Sequence, residues 1–131
     1  PGHLNDGLYG KVMLFNPDCV SFRQAVYLDA DTWVRSARIS ELLADNALSG
    51  ESHIAMVPDA NDPEHFNTGI MVLRPDRVQF HRMYEWVMAG IEMDQPYINE
   101  AYRGRVAALS PEFNVHGSMV SKRIVKEDEA V

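Results

Sequence analysis

Continuous apolar runs alternate along the chain with longer stretches in which apolar positions recur at helical spacing. Apolar runs of this length are typical of strands buried on both faces. They predict strands at 24–29, 53–57, 68–73 and 105–109. The amphipathic stretches predict helices at 7–15, 38–44, 76–89 and 94–102. Strands that alternate with helices in this way predict an α/β layered fold with a largely parallel sheet.

The clearest helical pattern covers residues 76–89. Asp76 is suited to cap the N-terminus of this helix, and Gly90 is suited to end it. The side chains predicted to face the core from this helix are Val78, Met83, Trp86 and Val87.

Composition limits the class of protein. The 131 residues fit a single domain, predicted at 1–125 and followed by a polar tail at 126–131. A net charge of -7 argues against a general nucleic-acid or anionic-membrane binder. There is no apolar stretch long enough to span a bilayer, and the single cysteine cannot form an internal disulfide. We therefore expect a soluble, cytoplasmic protein.

Two aspartates, Asp29 and Asp31, end the first predicted strand. Side chains two positions apart in a strand point to the same side, so both carboxylates can converge on one divalent cation. Mg²⁺ and Mn²⁺ prefer such oxygen ligands, and ligands of α/β proteins bind beyond the carboxyl ends of strands. The pair predicts a cation site; a turn that merely ends the strand is the alternative for this motif alone.

Three further segments follow in order, namely FNTG at 66–69, DQPYIN at 94–99 and SPEFN at 110–114. Together with YLDADTWV at 27–34, this ordered set resembles the retaining family 8 glycosyltransferases, in particular the glycogenin-like branch. The resemblance implies a GT-A-type (Rossmann-like) mixed sheet flanked by helices. It also implies a nucleotide-sugar donor such as UDP-glucose, with Mn²⁺ or Mg²⁺ as cofactor.

The resemblance assigns the first set of site residues. Asp29 and Asp31 match the metal-binding pair of the family, and Asp29 also matches a residue that contacts the ribose or the donor sugar. Lys11 matches a lysine that helps to position the donor, because its ammonium places a positive charge near phosphate or sugar oxygens. A solvent-facing helix lysine is the alternative for Lys11.

The later motifs supply the implied catalytic residues, Asn67, Asp94 and Gln95. Asn67 carries an amide suited to gripping sugar hydroxyls, and Gly69 lets the backbone approach the substrate. Asp94 and Gln95 match the pair near the donor sugar and the reacting centre. Ordinary structural roles are the alternatives: a turn at Asn67 and Gly69, and an N-cap at Asp94 ahead of Pro96.

The sequence departs from the family pattern in two places. The family has a βαβ region that holds the nucleotide base before the residue matching Lys11, whereas only a short segment precedes it here. We therefore expect a sheet truncated at its N-terminus, with an exposed edge covered by another copy or a partner chain. The family's third metal ligand is a histidine where this sequence has Lys126, and His116 is the nearest substitute.

The resulting prediction is a metal-dependent hexosyltransferase domain that moves a hexose to a carbohydrate or protein hydroxyl. Two alternatives stay open. One is a catalytically inactive, transferase-like protein that binds sugars or acts as a scaffold. The other is a Mg²⁺-dependent phosphohydrolase with Asp29 as nucleophile, which the DADTW pattern suggests. Asp59 and Asp62 are interpreted as turn formers, with the acceptor path as the alternative.

Overall fold

The computed structural model describes residues 6–44, 48, 52–90 and 94–115, and the side chains among them from residue 10 onward. Within this part of the chain the α-helices are α1 (Asp6–Met13), α2 (Arg77–Met88) and α3 (Asp94–Ala101). The strands are β1 (Ala25–Leu28), β2 (Ile54–Pro58), β3 (Phe66–Leu73) and β4 (Val106–Ala108). Short 3₁₀ helices lie at Ala37–Leu43 and Pro111–Phe113. The predicted strands and the three longer predicted helices are thus confirmed, with bounds shifted by one or two residues at most ends.

The described strands form one mixed sheet in the order β1-β3-β2-β4. Strand β3 runs antiparallel to both β1 and β2, and only β2 and β4 are parallel. The prediction of a largely parallel sheet is therefore wrong, whereas the mixed sheet that the resemblance implied is confirmed. The physical reason is the link at 59–65, which is too short to cross over the sheet and forces β3 to return beside β2.

Both faces of the central strands are buried, which explains why their sequences are continuously apolar. On one face, Ile54 and Met56 of β2 pack with Met71 and Leu73 of β3 against the three α-helices. Their neighbours in sequence point to the opposite face, where they pack against the 3₁₀ helices and Leu48. The opposite-face residues of β2 and β3 are Ala55, Val57, Ile70 and Val72.

Helix α2 begins as predicted, because the Asp76 side chain accepts a hydrogen bond from the backbone N–H of Gln79 at 3.1 Å. Past its end, Gly90 adopts a positive φ of 77°, a conformation that glycine favours. Met83 and Val87 are buried as predicted, but the prediction for Val78 is wrong, because its side chain is 71% exposed. Phe80 takes the core position instead, which rotates the buried stripe by part of a turn.

His116, Lys126 and the predicted tail at 126–131 lie outside the described residues. The prediction of a histidine substitute for the third metal ligand therefore stays a prediction, as do the domain bounds. Across 6–44, 48, 52–90 and 94–115, no helix combines the length and apolar character that crossing a membrane requires.

Candidate functional site

A cleft of about 460 Å³ opens beyond the carboxyl end of β1. Its walls hold Asp29 and Asp31, the amide of Asn67, the backbone of Gly69, and Asp59. The cleft is also lined by Trp33, Phe113 and Asn114. Four of the predicted site residues therefore share one cavity. Three others do not line the cleft. Lys11 contacts Asp29 and Gln95 contacts Asp59 in its lining, and Asp94 is joined to Asp29 through Lys11.

Asp29 and Asp31 line the same cleft, but the prediction that a strand directs both side chains to it is wrong. Strand β1 ends at Leu28, and both aspartates lie in the turn that follows, where Thr32 N–H donates to Asp29 O at 3.0 Å. The positions of the two carboxylates at the cleft are therefore set by this turn and not by the alternation of side chains along a strand. The turn leaves Asp31 exposed, while Asp29 stays half-buried.

Lys11, in the last turn of α1, joins two of the predicted acidic residues. Its Nζ lies 2.9 Å from Asp29 Oδ1 and also contacts Asp94 Oδ2. The lysine side chain is only 7% exposed, so the solvent-facing alternative for this residue is wrong. Burial lowers the pKa of Lys11, but the hydrogen bonds to Asp94 and Asp29 outweigh it and raise the pKa overall. Lys11 therefore stays charged between the two carboxylates.

Tyr27 fixes which oxygen of Asp29 faces the cleft, and sequence reasoning missed this residue. Its hydroxyl donates to Asp29 Oδ1 at 2.7 Å, and its ring lies 5.1 Å from Lys11 Nζ. Burial and the bond to Asp29 raise the pKa of Tyr27 to about 12, so the hydroxyl keeps its proton. Because Tyr27 and Lys11 both use Oδ1, Oδ2 of Asp29 is the oxygen left for a ligand.

An irregularity in β3 brings its backbone into the site. Met56 pairs with Met71 and Val57 pairs with Asn67, so residues 68–70 of β3 have no partners on β2. Side chains accept hydrogen bonds from backbone N–H groups in this unpaired segment. Gln95 Oε1 accepts from Thr68 N–H at 3.2 Å, and Asn67 Oδ1 accepts from Gly69 N–H at 2.9 Å. The FNTG motif is thus a bulge of the strand, and this explains why it can contact both β1 and α3.

Asn67 presents only one half of its amide to the cleft. Its Oδ1 accepts from Gly69 N–H and also from Asn114 Nδ2 at 2.7 Å. The Nδ2 donors are therefore the groups of Asn67 that can turn to a substrate or to Asp59. Asn114 comes from the SPEFN motif, which the resemblance used without giving its asparagine a role.

Asp59 connects the two amides of the site and was interpreted from sequence as a turn former. Its Oδ1 does accept from Asn61 N–H at 2.8 Å, as in a turn, but Oδ2 accepts from Gln95 Nε2 at 2.9 Å. The hydrogen bond from Asn61 lowers the pKa of Asp59, and those from Gln95 and Asn67 act in the same direction. No local signal identifies this role, because Gln95 is far away in sequence.

Replacing Asp59 with asparagine is expected to lower the free energy of unfolding by about 1–2 kcal/mol at pH 7, since Gln95 loses a charged acceptor. The folded pKa of Asp59 is lowered, so its contribution is complete above the ordinary value of 3.8 and is lost as the pH falls through the folded value. Urea unfolding of both proteins between pH 7 and pH 3 measures this. A difference that stays constant below pH 3.8 would contradict the expected role of the charge.

The residues that line the cleft fit a hard divalent cation in part. Asp29 and the exposed Asp31 both line this cavity, and their carboxylate oxygens are of the type that Mg²⁺ and Mn²⁺ accept while keeping places for substrate oxygens. Among the residues that the structure describes, no cluster of three His, Cys, Asp or Glu side chains could hold a metal. The described part of the site therefore offers two protein ligands.

Comparison with known proteins gives a family. The sequence profile described as glycosyl transferase family 8 matches residues 8–130. Glycogenin of Neurospora crassa is 31% identical over 97 residues, which cover 72% of this chain and 13% of that protein. Glycogenin-2 of Saccharomyces cerevisiae is 31% identical over 77 residues, which cover 59% of this chain and 20% of that protein.

The fold also has a solved counterpart. The crystal structure of the galactosyltransferase LgtC, in complex with donor and acceptor sugar analogues, superposes with a TM-score of 0.68 at 16% sequence identity. The alignment covers 95% of this chain and 53% of that chain. The similarity confirms the GT-A-type fold that the motifs implied. The chain spans about half the length of this solved relative and a smaller part of the two curated ones.

Proposed function

The chain belongs to glycosyl transferase family 8, and on that premise we propose that it carries the donor site of a metal-dependent, retaining hexosyltransferase. The donor is a nucleotide sugar, UDP-glucose or a close analogue, and the acceptor is a carbohydrate or protein hydroxyl. One observation carries the proposal: residues from three of the motifs line one cleft, and Lys11 bridges Asp29 in that cleft to Asp94 of the fourth motif.

Asp29 and Asp31 are the residues that would hold Mn²⁺ or Mg²⁺. Such a cation supplies charge neutralisation for the diphosphate leaving group when it is bound. Lys11 and Tyr27 hold Asp29 through Oδ1 and keep its Oδ2 directed to the cleft. Asp31 is exposed and free to adjust to the ligand.

The remaining residues orient the sugar. Asn67 offers N–H donors to a hydroxyl, and Gly69 leaves the space that Asn67 Oδ1 needs beside the strand. Asp94 is held by Lys11 and by the backbone N–H of Gln95 at 2.7 Å, so its carboxylate has a fixed direction. We assign Asp94, Gln95 and Asn67 to the stabilisation and positioning of the reacting sugar.

Calorimetric titration of UDP and UDP-glucose, with and without Mn²⁺, tests the proposal. The chain is expected to bind UDP only with Mn²⁺, and Asp31→Asn is expected to weaken this binding about tenfold or more. Asp18→Asn is the matched control, because Asp18 is an exposed aspartate paired with Arg77 outside the cleft. Equal binding by the Asp31 variant and the chain itself would exclude Asp31 as a ligand.

A second function, a non-catalytic sugar-binding or scaffolding protein, is favoured by one observation. Lys11 already neutralises one of the two negative charges of Asp29 and Asp94 without a metal ion. Sugar binding that is independent of Mn²⁺, without transfer, would support this alternative. Hydrolysis of a generic phosphate monoester would instead support a phosphohydrolase.

A partner chain or second copy that covers a sheet edge stays a prediction, which the mass in solution tests.

A further inference from the structure

Asn99 is a buried polar residue on α3 that none of the roles above uses. Its side chain is 8% exposed, and it lies one helical turn after Gln95. A buried amide costs free energy unless its donors and acceptor are all used. Those of Asn99 are used, and their partners belong to the two elements that carry the implied catalytic residues.

The amide of Asn99 binds the backbone of β3 with two hydrogen bonds. Its Oδ1 accepts from Phe66 N–H at 2.7 Å, and its Nδ2 donates to Phe66 O at 2.8 Å. Opposite Phe66 on β2 stands Pro58, which has no N–H to donate to a neighbouring strand. The Asn99 side chain thus supplies hydrogen bonds to β3 immediately before Asn67.

The same amide also holds its own helix. Asn99 Nδ2 donates to Gln95 O at 2.8 Å, so one side chain contacts the backbone of Phe66 and of Gln95 together. Phe66 precedes Asn67, and Gln95 follows Asp94. A shift of α3 along β3 would therefore break both bonds to Phe66 and also the contact from Gln95 Oε1 to Thr68 N–H, whereas the bond to Gln95 O lies within α3.

We infer that Asn99 is a positioning residue, which sets the register of the Asp94-Gln95 pair against the Asn67-Gly69 bulge. The inference rests on the function proposed above. Asn99 then affects the rate of sugar transfer, whereas the affinity for UDP depends on Asp29 and Asp31. Displacing catalytic groups by about 1 Å is enough to lower a rate roughly 100-fold.

The test replaces Asn99 with leucine, which keeps a similar volume and removes the amide. The transfer rate is expected to fall roughly 10- to 100-fold, whereas the Mn²⁺-dependent affinity for UDP stays within about threefold. A purely structural loss would lower both in proportion to the folded fraction, which thermal unfolding measures. Parallel losses of UDP affinity and rate would overturn the inference.

Gln79→Leu is the matched control, because Gln79 is another buried amide, 5% exposed, on α2. In the orientation that satisfies its amide, it bonds Ala101 O at 2.8 Å and Arg105 Nη2 at 2.9 Å, away from the cleft. We expect this variant to lose stability and to keep the turnover of its folded fraction. A similar fall in turnover per folded molecule would overturn the assignment to Asn99.

Hydrogen exchange separates this inference from the proposed function, because it needs no turnover. In Asn99→Leu, the amide protons of Phe66 and Thr68 are expected to exchange about tenfold faster or more, while that of Val72 in the same strand is unchanged. Unchanged exchange at both positions would refute the positioning role even in an active enzyme. Faster exchange in a chain that transfers no sugar would refute only the proposed activity.

Discussion

Replacing Lys11 with methionine is expected to reduce sugar transfer about 100-fold or more, because the site loses the only charge that joins Asp29 to Asp94 within the described residues. The free energy of unfolding is expected to fall by about 2–4 kcal/mol. Removal of one member of a fully buried pair costs about 3–5 kcal/mol, and the two carboxylates here are one third exposed. Steady-state kinetics and urea unfolding measure the two effects.

Two further variants test whether repulsion between Asp29 and Asp94 causes the loss of stability in Lys11→Met. Adding Asp94→Asn to the Lys11 variant is expected to restore part of the stability, since it removes one of the two carboxylates that then face each other. Arg77→Met also removes a cation, but from an exposed pair with Asp18, and little change in stability is expected. If the double variant is less stable than Lys11→Met alone, repulsion between the carboxylates is not the cause.

Replacing Gly69 with alanine is expected to lower kcat/KM roughly 10- to 100-fold. A methyl group on Gly69 would lie 2.9 Å from Asn67 Oδ1 and 3.6 Å from Asp29 Oδ2. Asn67 cannot withdraw easily, because Gly69 N–H and Asn114 both hold the same oxygen. The bulge therefore shifts against β1, and the steric strain is expected to cost about 1–3 kcal/mol of stability.

Gly10→Ala is the control for this substitution. Gly10 lies in α1, and a methyl group there meets no atom within 4 Å. Alanine favours a helix over glycine by about 0.5–1 kcal/mol, so this variant is expected to be as stable as the parent or more stable, with unchanged activity. Full activity in Gly69→Ala, measured with the same donor and metal, would show that the cleft does not need the space beside Asn67.

The sequence patterns are reliable where a local rule decides the outcome. Asp76 caps α2 and Gly90 ends it because capping and positive φ depend on a few neighbouring residues. Val78 was placed in the core wrongly, because helical periodicity allows several stripes of similar apolar content. Which stripe of α2 is buried depends on where α1 and α3 pack, and the sequence of α2 carries no information on their positions.

The residues of the candidate site also fall into those that the sequence motifs predict and those that they do not. The motifs place Asp29, Asp31, Asn67, Gly69 and the Asp94-Gln95 pair in order along the chain. The structure brings the first four to one cleft and joins the pair to it through Lys11 and Asp59. The partners that orient them were missed. They are Tyr27, Asp59, Asn99 and Asn114, whose side chains act through hydrogen bonds to residues that are mostly distant in sequence.

The sequence by itself determined the strands and the long helices, because these follow from periodicity and capping. Its resemblance to a family supplied the candidate site residues. Tertiary structure alone decided the antiparallel placement of β3 and the bulge at 68–70. It also decided which oxygen of Asp29 and which half of the Asn67 amide face the cleft. These depend on donors and acceptors brought together by chain reversal, and no pattern along the sequence records which groups will meet.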